Sequence, residues 1–179
     1  MLGVGEKFPA FSVPATVSDD RKNAFRTVTS EDFRAKWKVF FFWPKDFTFV
    51  CPTELAAFDE LAREFQDRNA QLLGCSTDSE YAHLAWRQQC DMVKGAHFPM
   101  LADVKRDLCT ELGILDPKEG VAQRATFIVD PDGVIRFVSV TDLNVGRNTE
   151  EVLRVLDALQ MNELCPCNWQ RGDPTLVLA

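Results

Sequence analysis

The sequence predicts an α/β sandwich with a mixed central sheet, and three observations indicate it. Apolar runs of strand length alternate with segments in which apolar residues recur at helical spacing. Two further strand-like runs then flank Pro131-Asp132-Gly133, a turn sequence typical of a hairpin. An amphipathic helix follows the hairpin, and this order of elements favours helices packed on a sheet.

The N-terminal part is predicted to be extended and then irregular. Residues 1–20 form an entry segment in which Phe8-Pro9-Ala10-Phe11 packs and Pro14 marks a sheet edge. Residues 19–38 are charged and irregular, with at most a short helical turn from Ser30.

The next segment is a strand, a loop and a helix. Val39 to Trp43 is an apolar run with the length and composition of a buried strand, and Pro44 ends it. From Pro52 to about Asn69 the apolar residues recur at helical spacing. Proline suits the first position of a helix, so Cys51 is expected at the helix N-terminus.

The later elements follow from the same two periodicities. We expect strands at residues 71–76, 98–102, 125–130 and 134–140, and a short helix at 105–112 whose apolar stripe extends back to Val104. Asn148 is expected to cap the last helix, with Glu151 three residues on as in a capping box. A helix from Asp78 has one face formed by Ala82, Trp86, Cys90 and Val93, and the last helix has a stripe formed by Val152, Val155, Leu156 and Leu159.

Length and composition indicate a globular protein rather than a disordered one. The chain has 179 residues, of which 46% are hydrophobic, and a formal net charge of −7. No lysine or arginine cluster exceeds two adjacent residues, which argues against nucleic acid or an anionic membrane as a partner. With no visible signal peptide or membrane-spanning run, a cytoplasmic location is expected. We expect one domain at residues 1–160 and a C-terminal arm at 161–179.

The six cysteines favour redox chemistry over a metal site. Structural zinc usually takes paired cysteine knuckles or cysteine with histidine, and the only close pair here is Cys165-Pro166-Cys167, with both histidines far away in sequence. No metal or cofactor is therefore expected. Cys75 and Cys90 are interpreted as packing residues. Cys109 lies beside its helical stripe, is expected to be partly exposed and receives no role.

Cys51 is the candidate nucleophile. Unpaired backbone N–H groups and the positive end of the helix dipole gather at a helix N-terminus and favour the thiolate, which is the reactive form of cysteine. Thr48 lies three residues earlier, close enough for its hydroxyl to bond the sulfur or a substrate oxygen. The alternative from position alone is that Cys51 is a small buried apolar residue, as most free cysteines are.

The pattern Pro44-x-x-x-Thr48-x-x-Cys51, followed by Pro52-Thr53-Glu54, resembles the active-site signature of peroxiredoxins. The likeness continues in order along nearly the whole chain and is greatest to the typical 2-Cys group, in the alkyl hydroperoxide reductase C type of actinobacteria. It implies a thioredoxin-like fold with peroxiredoxin additions, and a thiol-dependent peroxidase of antioxidant defence. The matching segments are DSEYAHLAW, FPMLADVKRDL, ATFIVDPDGVIRFVSV, DLNVGRNTEEVLRVLDALQ and ELCPCNW.

The resemblance also assigns roles at the matching positions. Cys51 becomes the peroxidatic cysteine, and Arg124 becomes the cation beside its sulfur that stabilises the departing oxygen. The remaining implied roles are shielding of the pocket by Pro44, alignment of the peroxide by Thr48, and an arginine network held by Glu54 and including Arg147.

A second cysteine would complete the cycle. Oxidised Cys51 is a sulfenic acid that condenses with a thiol, and Cys165 matches the resolving cysteine that a partner subunit supplies in typical 2-Cys peroxiredoxins. The resemblance thus implies a homodimer, associating into a ring of ten or twelve chains, with local rearrangement at Cys51 and in the arm. Cys167 departs from the general pattern and is either a bystander or a relay to the reductant, which is a thioredoxin, a disulfide reductase or a C-x-x-C adaptor.

Three other functions are alternatives. A thioredoxin-type oxidoreductase lacks its C-x-x-C here, since no cysteine neighbours Cys51 at that spacing. A holdase chaperone and a peroxide sensor acting through Cys165 or Cys167 stay open as secondary activities. The region Met92 to His97 lacks the Gly-Gly-Leu-Gly insertion of over-oxidation-sensitive relatives, and no tyrosine follows Trp169. Resistance of Cys51 to sulfinic acid formation is therefore expected.

Overall fold

The computed structural model describes residues 1–177, which contain seven strands and five helices. Their order alternates strands and helices through the middle of the chain and then gives a hairpin and a helix, as predicted. The elements are β1 (Ser12–Thr16), β2 (Phe25–Thr29), β3 (Trp37–Phe42), α1 (Cys51–Glu60), α2 (Ala62–Asp67), β4 (Ala70–Ser76), α3 (Glu80–Gln89), β5 (Met100–Ala102), α4 (Asp107–Leu112), β6 (Arg124–Val129), β7 (Ile135–Thr141) and α5 (Thr149–Met161).

The strands form one mixed sheet in the order β2-β1-β5-β4-β3-β6-β7. The pairs β3–β4 and β4–β5 are parallel, and the other four pairs are antiparallel. The predicted α/β class and mixed sheet are confirmed. The hairpin of β6 and β7 is also confirmed: the Asp130 N–H donates to the Val134 carbonyl at 2.9 Å, and Gly133 adopts φ +80° in the turn.

The interior of the sheet is built around β3. Phe40 pairs with Leu73 of β4 on one side and with Phe127 of β6 on the other. The strand is therefore covered by neighbours at both edges, and the residues from Val39 to Trp43 are all fully buried. This burial accounts for a continuous apolar run rather than an alternating one.

The first 38 residues hold more structure than predicted. β2 lies within the segment predicted to be irregular and pairs with β1 along its whole length. Pro14 does not mark a sheet edge, because β1 has β2 on one side and β5 on the other. Pro14 is tolerated because β1 pairs with β5 only at Ala15 and Thr16.

Two predicted helices are shorter than the apolar pattern indicated. The predicted helix from Pro52 to about Asn69 is interrupted at Leu61, where φ is −94° and ψ is 3°, and so forms α1 and α2. The helix predicted from Asp78 ends at Gln89, because Cys90 is extended at φ −112° and ψ 113°. Val93 is still buried, from the loop after α3, whereas Cys90 is half-buried.

The region of α4 also corrects two expectations. Arg106 adopts φ +64°, so the helix begins only at Asp107 and leaves Val104 outside it, 45% exposed. Cys109, expected to be partly exposed, is fully buried in the main core. Its backbone N–H donates to Asp103 Oδ2 at 2.8 Å, and this bond helps hold the first turn of α4.

The chain divides into two compact units, Met1–Arg147 and a second unit that begins at Asn148. In the second unit Asn148 Oδ1 accepts from the Glu151 N–H at 3.1 Å, so the predicted cap of α5 is confirmed. The reciprocal half of a capping box is replaced by an ion pair, since the Glu151 carboxylate accepts from Arg154 at 2.6 Å. The predicted boundary between a domain of residues 1–160 and an arm of residues 161–179 stays a prediction.

Candidate active site

The loop between β3 and α1 places Cys51 at the first position of a helix. Pro44 ends the buried strand, and α1 begins at Cys51 with Pro52 as its second residue. The carbonyl of Val50 accepts from the N–H groups of Thr53 at 3.1 Å and Glu54 at 3.3 Å, which closes the first turn. The Cys51 side chain is fully buried at the positive end of the helix dipole, so a charge on its sulfur needs a local partner.

Arg124 supplies that partner from the neighbouring strand. β6 runs antiparallel to β3, so its first residue lies at the end of the sheet where β3 leads into the loop. Arg124 Nη1 donates to Cys51 Sγ at 3.4 Å, and Nε donates to the Leu143 carbonyl at 2.8 Å. The guanidinium is therefore held on two sides and aimed at the sulfur.

Glu54 joins Arg124 to a second arginine. It lies one helical turn after Cys51, on the same side of α1, and its Oε2 accepts from Arg124 Nη1 at 2.6 Å. Arg147 donates to Glu54 Oε1 from Nε at 2.8 Å and to Oε2 from Nη2 at 2.9 Å, a bidentate pair. Two guanidinium groups, of Arg124 and Arg147, face the single carboxylate of Glu54. A thiolate at Cys51 therefore brings the net charge of these four buried side chains to zero.

The surroundings of Arg147 make this cluster rigid. Its Nη1 donates to the Ala125 carbonyl at 2.9 Å, and its backbone N–H donates to Glu54 Oε1 at 3.0 Å. Its guanidinium carbon also lies 5.7 Å from the centre of the Phe41 ring and 5.6 Å from that of Phe58. The predicted network residues Glu54, Arg124 and Arg147 thus lie together around Cys51.

Thr48 and Pro44 occupy the loop that leads to Cys51. Pro44 is buried and Thr48 is half-buried, with its hydroxyl donating to the Lys45 carbonyl at 3.0 Å. Phe47, between them, adopts φ +56°, a left-handed conformation that is unfavourable for a bulky side chain. Phe49 is 94% exposed. The loop is therefore tightly bent, and polar contacts must hold it in this shape.

Sequence reasoning missed those contacts. Trp43 Nε1 donates to Asp46 Oδ1 at 2.8 Å, and Asp46 Oδ2 lies 2.7 Å from Nδ1 of His83 on α3. The signal available in the sequence was the spacing of His83 with Trp86 and Arg87, which places all three on the buried face of α3. Leu143, whose carbonyl orients Arg124, carried no signal because a backbone contact leaves no trace in residue type.

The other cysteines differ in burial, and all six are free thiols. Cys75 is fully buried in the core, as predicted. In the second unit Cys165 is half-buried, with Sγ 3.8 Å from the Ala158 carbonyl, and Cys167 is exposed. A second thiol and its neighbour are thus reachable by another molecule.

Within residues 1–177, no three His, Cys, Asp or Glu side chains are grouped so that they could hold a metal ion. No helix in that same part of the chain is both long enough and apolar enough to cross a membrane.

Comparisons with known proteins agree with this geometry. The chain matches the AhpC/TSA family over residues 4–138. It is 54% identical to alkyl hydroperoxide reductase C of Mycobacterium tuberculosis, covering 98% of this chain and 94% of that protein. It is 45% identical to a thioredoxin peroxidase of Echinococcus granulosus, covering 96% of this chain and 91% of the relative.

Solved structures extend the likeness to the fold. Mycobacterium bovis AhpC superposes with a TM-score of 0.87 at 52% identity, covering 95% of this chain and 99% of that one. The reduced 2-Cys peroxiredoxin of Plasmodium vivax gives 0.90 at 34% identity, covering 98% and 93%. The predicted thioredoxin-like fold is confirmed by these neighbours. With the family match, the full-length relatives and a cysteine held between a helix N-terminus and an arginine, the chain belongs to the AhpC/TSA family and is a peroxiredoxin.

Proposed function

We propose that this protein reduces hydrogen peroxide and organic hydroperoxides as a typical 2-Cys peroxidase, with Cys51 as the peroxidatic cysteine. The observation that carries the proposal is the contact of 3.4 Å between Arg124 Nη1 and Cys51 Sγ, in a cluster whose charge a thiolate balances. The names of the relatives, an alkyl hydroperoxide reductase and a thioredoxin peroxidase, support the substrate class.

The first step is attack of the Cys51 thiolate on the peroxide. A sulfur–oxygen bond forms, the oxygen–oxygen bond breaks, and the departing alkoxide or hydroxide takes up a proton to leave as alcohol or water. Cys51 becomes a sulfenic acid. Arg124 stabilises negative charge as it moves from the sulfur to the departing oxygen, Thr48 orients the peroxide, and Pro44 shields the pocket from water.

The second step is resolution by Cys165 of the partner subunit. Its thiolate attacks the Cys51 sulfur, a disulfide forms, and the sulfenic oxygen leaves as water after protonation. Cys51 is fully buried, and a disulfide requires Cα atoms within about 7 Å. The first turn of α1 and the segment that carries Cys165 must therefore rearrange in each cycle.

A thiol reductant then restores both cysteines. Cys167 is exposed two residues after Cys165, so it suits a relay that accepts the disulfide and passes it to a thioredoxin, a disulfide reductase or a C-x-x-C adaptor. The assembly proposed for the cycle is a homodimer, associated into a ring of ten or twelve subunits.

Stopped-flow tryptophan fluorescence with substoichiometric hydrogen peroxide, followed by non-reducing gel electrophoresis, tests the proposal. We expect a fast signal that Cys51→Ser abolishes, and a disulfide-linked dimer that both Cys51→Ser and Cys165→Ser abolish. Cys90→Ser is the matched control, because Cys90 is half-buried like Cys165 and has no assigned role. Oxidation of the wild-type protein no faster than that of free cysteine would overturn the assignment.

A further inference from the structure

Both ring nitrogens of His83 face oxygen atoms that accept hydrogen bonds. His83 is fully buried; its Nδ1 lies 2.7 Å from Asp46 Oδ2, and its Nε2 lies 3.1 Å from the Leu101 carbonyl. A carbonyl oxygen only accepts, so Nε2 must carry a hydrogen. A second hydrogen must lie between Nδ1 and the carboxylate, since two lone pairs at that distance would repel each other.

The hydrogen bonds therefore require one proton more than a neutral histidine and an ionised aspartate would carry together. Either imidazolium with carboxylate or neutral imidazole with a protonated carboxyl satisfies every contact. Asp46 Oδ1 is already occupied by the Trp43 indole N–H at 2.8 Å. Burial raises the pKa of Asp46, in the direction expected for a pair that retains this proton.

The groups around the pair are few and fixed. From the segment after β4, Asp78 accepts from the Asp46 backbone N–H at 3.0 Å and from the Ser76 hydroxyl at 2.7 Å. Its charge disfavours a second negative charge on Asp46. Trp43, the residue after β3, contributes its indole; α3 contributes His83, and β5 contributes the Leu101 carbonyl.

Asp46 makes the contacts that fix the loop carrying Thr48. Its backbone N–H and its two carboxylate oxygens are held from three parts of the chain: the segment after β4, the residue after β3, and α3. The next residue is Phe47, with φ +56°. A bulky residue persists in that conformation only where its surroundings impose it. The contacts of Asp46 impose it here, because they fix the residue immediately before the bend.

We propose that Asp46 and His83 share one proton and act as a positioning pair, fixing the loop so that Thr48 and Cys51 face peroxide together. The inference rests on the peroxidase function proposed above and adds two residues to it. When the shared proton is lost, one ring nitrogen faces an acceptor with no hydrogen between them. The pair then releases the loop, and peroxide reduction falls at alkaline pH although the thiolate is still present.

Two rates measured on the same protein separate positioning from thiolate reactivity. The peroxide reaction needs Thr48 and Cys51 aligned, whereas alkylation of Cys51 by iodoacetamide needs only a reachable thiolate. In His83→Leu we expect the peroxide rate to fall about 10- to 100-fold, the scale of a misplaced reacting group. Alkylation should stay unchanged or rise. His97→Leu is the matched control, because His97 is exposed and should leave both rates unaltered.

Asp46→Asn tests the proton itself. The amide can accept from Trp43 and donate to Nδ1 of His83, so all the hydrogen bonds form without a shared proton. The ratio of peroxide rate to alkylation rate should fall with rising pH in the wild type and stay flat in D46N. An identical pH profile in both proteins, or a retained ratio in His83→Leu, would overturn the inference.

Nuclear magnetic resonance of the ¹⁵N-histidine-labelled wild-type protein gives a measurement that needs no variant. The chain has two histidines, so exposed His97 serves as an internal reference. We expect two slowly exchanging protons at the His83 ring at neutral pH, one on Nε2 and one between Nδ1 and Asp46. Absence of a second proton between Nδ1 and Asp46, whether bonded to the nitrogen or to the carboxyl oxygen, would overturn the shared proton, even if the peroxidase assignment had itself failed.

Discussion

Two buried charged clusters hold the two ends of the loop that leads to Cys51, and they keep their charge in different ways. The arginine cluster consists of Glu54, Arg124 and Arg147, and arginine is the side chain whose positive charge does not depend on a removable proton in proteins. The histidine cluster consists of Asp46 and His83, with Trp43 as a donor. Its hydrogen bonds depend on a proton that alkaline solution can remove.

This difference in how the charge is kept suits the two clusters to different tasks. The arginine cluster must present constant charge to the sulfur throughout the cycle, which suits a group that does not titrate. In the cycle proposed above, the histidine cluster holds the shape of a loop that has to open for resolution, which suits contacts that break at moderate cost. Three substitutions test whether the two clusters differ in this way.

The largest expected effect is that of Arg124→Leu. Removing a donor aimed at developing charge typically lowers a rate by about 10²- to 10³-fold, and we expect that loss in the peroxide reaction of Cys51. Stopped-flow fluorescence measures it. Arg136→Leu is the control, since that guanidinium pairs with Asp130 near the hairpin turn. Equal losses of peroxide rate in the two variants would mean that Arg124 does not specifically stabilise the charge that develops in the reaction of Cys51.

The next effect is that of Glu54→Gln on stability. Without the carboxylate two buried guanidinium groups face each other uncompensated, and breaking a buried ion pair costs about 3–5 kcal/mol. Urea unfolding at neutral pH measures the change. Glu151→Gln breaks the exposed pair with Arg154 and should cost less than about 1 kcal/mol. Similar losses of stability in the two variants would mean that the buried ion pairs of Glu54 stabilise the fold no more than an exposed ion pair does.

The smallest effect is that of Gly74→Ala, which perturbs the histidine cluster through packing. An added Cβ would lie 2.8 Å from Trp43 Cζ3, and overpacking of this kind costs about 1–3 kcal/mol. Displacement of the indole should also weaken its bond to Asp46, steepening the alkaline loss of peroxide rate. Gly3→Ala has room for its Cβ, with the nearest atom 3.7 Å away, and should change neither property. An unaltered pH profile in Gly74→Ala would mean that the bond from Trp43 to Asp46 does not help to hold the loop.

The sequence predicted the arginine cluster better than the histidine cluster for a physical reason. The resemblance to peroxiredoxins located Arg124 and its partners at matching positions, and a thiolate gives a chemical reason for a cation there. His83 reaches Asp46 across 37 positions of the chain, and no chemistry required either of them in advance. The contact depends on how α3 packs against the sheet, which the helical period alone does not specify.

The fold shows the same division between local and distant causes. β3, β4 and the β6–β7 hairpin have strong local patterns and were predicted within a few residues. β2 was missed because Phe25–Thr29 is short and polar and is stabilised by pairing with β1. The early end of α3 and the late start of α4 depend on backbone angles at Cys90 and Arg106, which apolar spacing does not reveal.

The burial of Cys75 and Cys109 has a practical consequence. Burial is the main cause that raises the pKa of both thiols, and the charge of Asp103 raises each further. Both therefore stay protonated at neutral pH and do not compete with Cys51 for peroxide. Alkylation of Cys75 and Cys109 under a pulse of reagent therefore measures how often the core opens, and it can be followed in the same sample as the alkylation of Cys51.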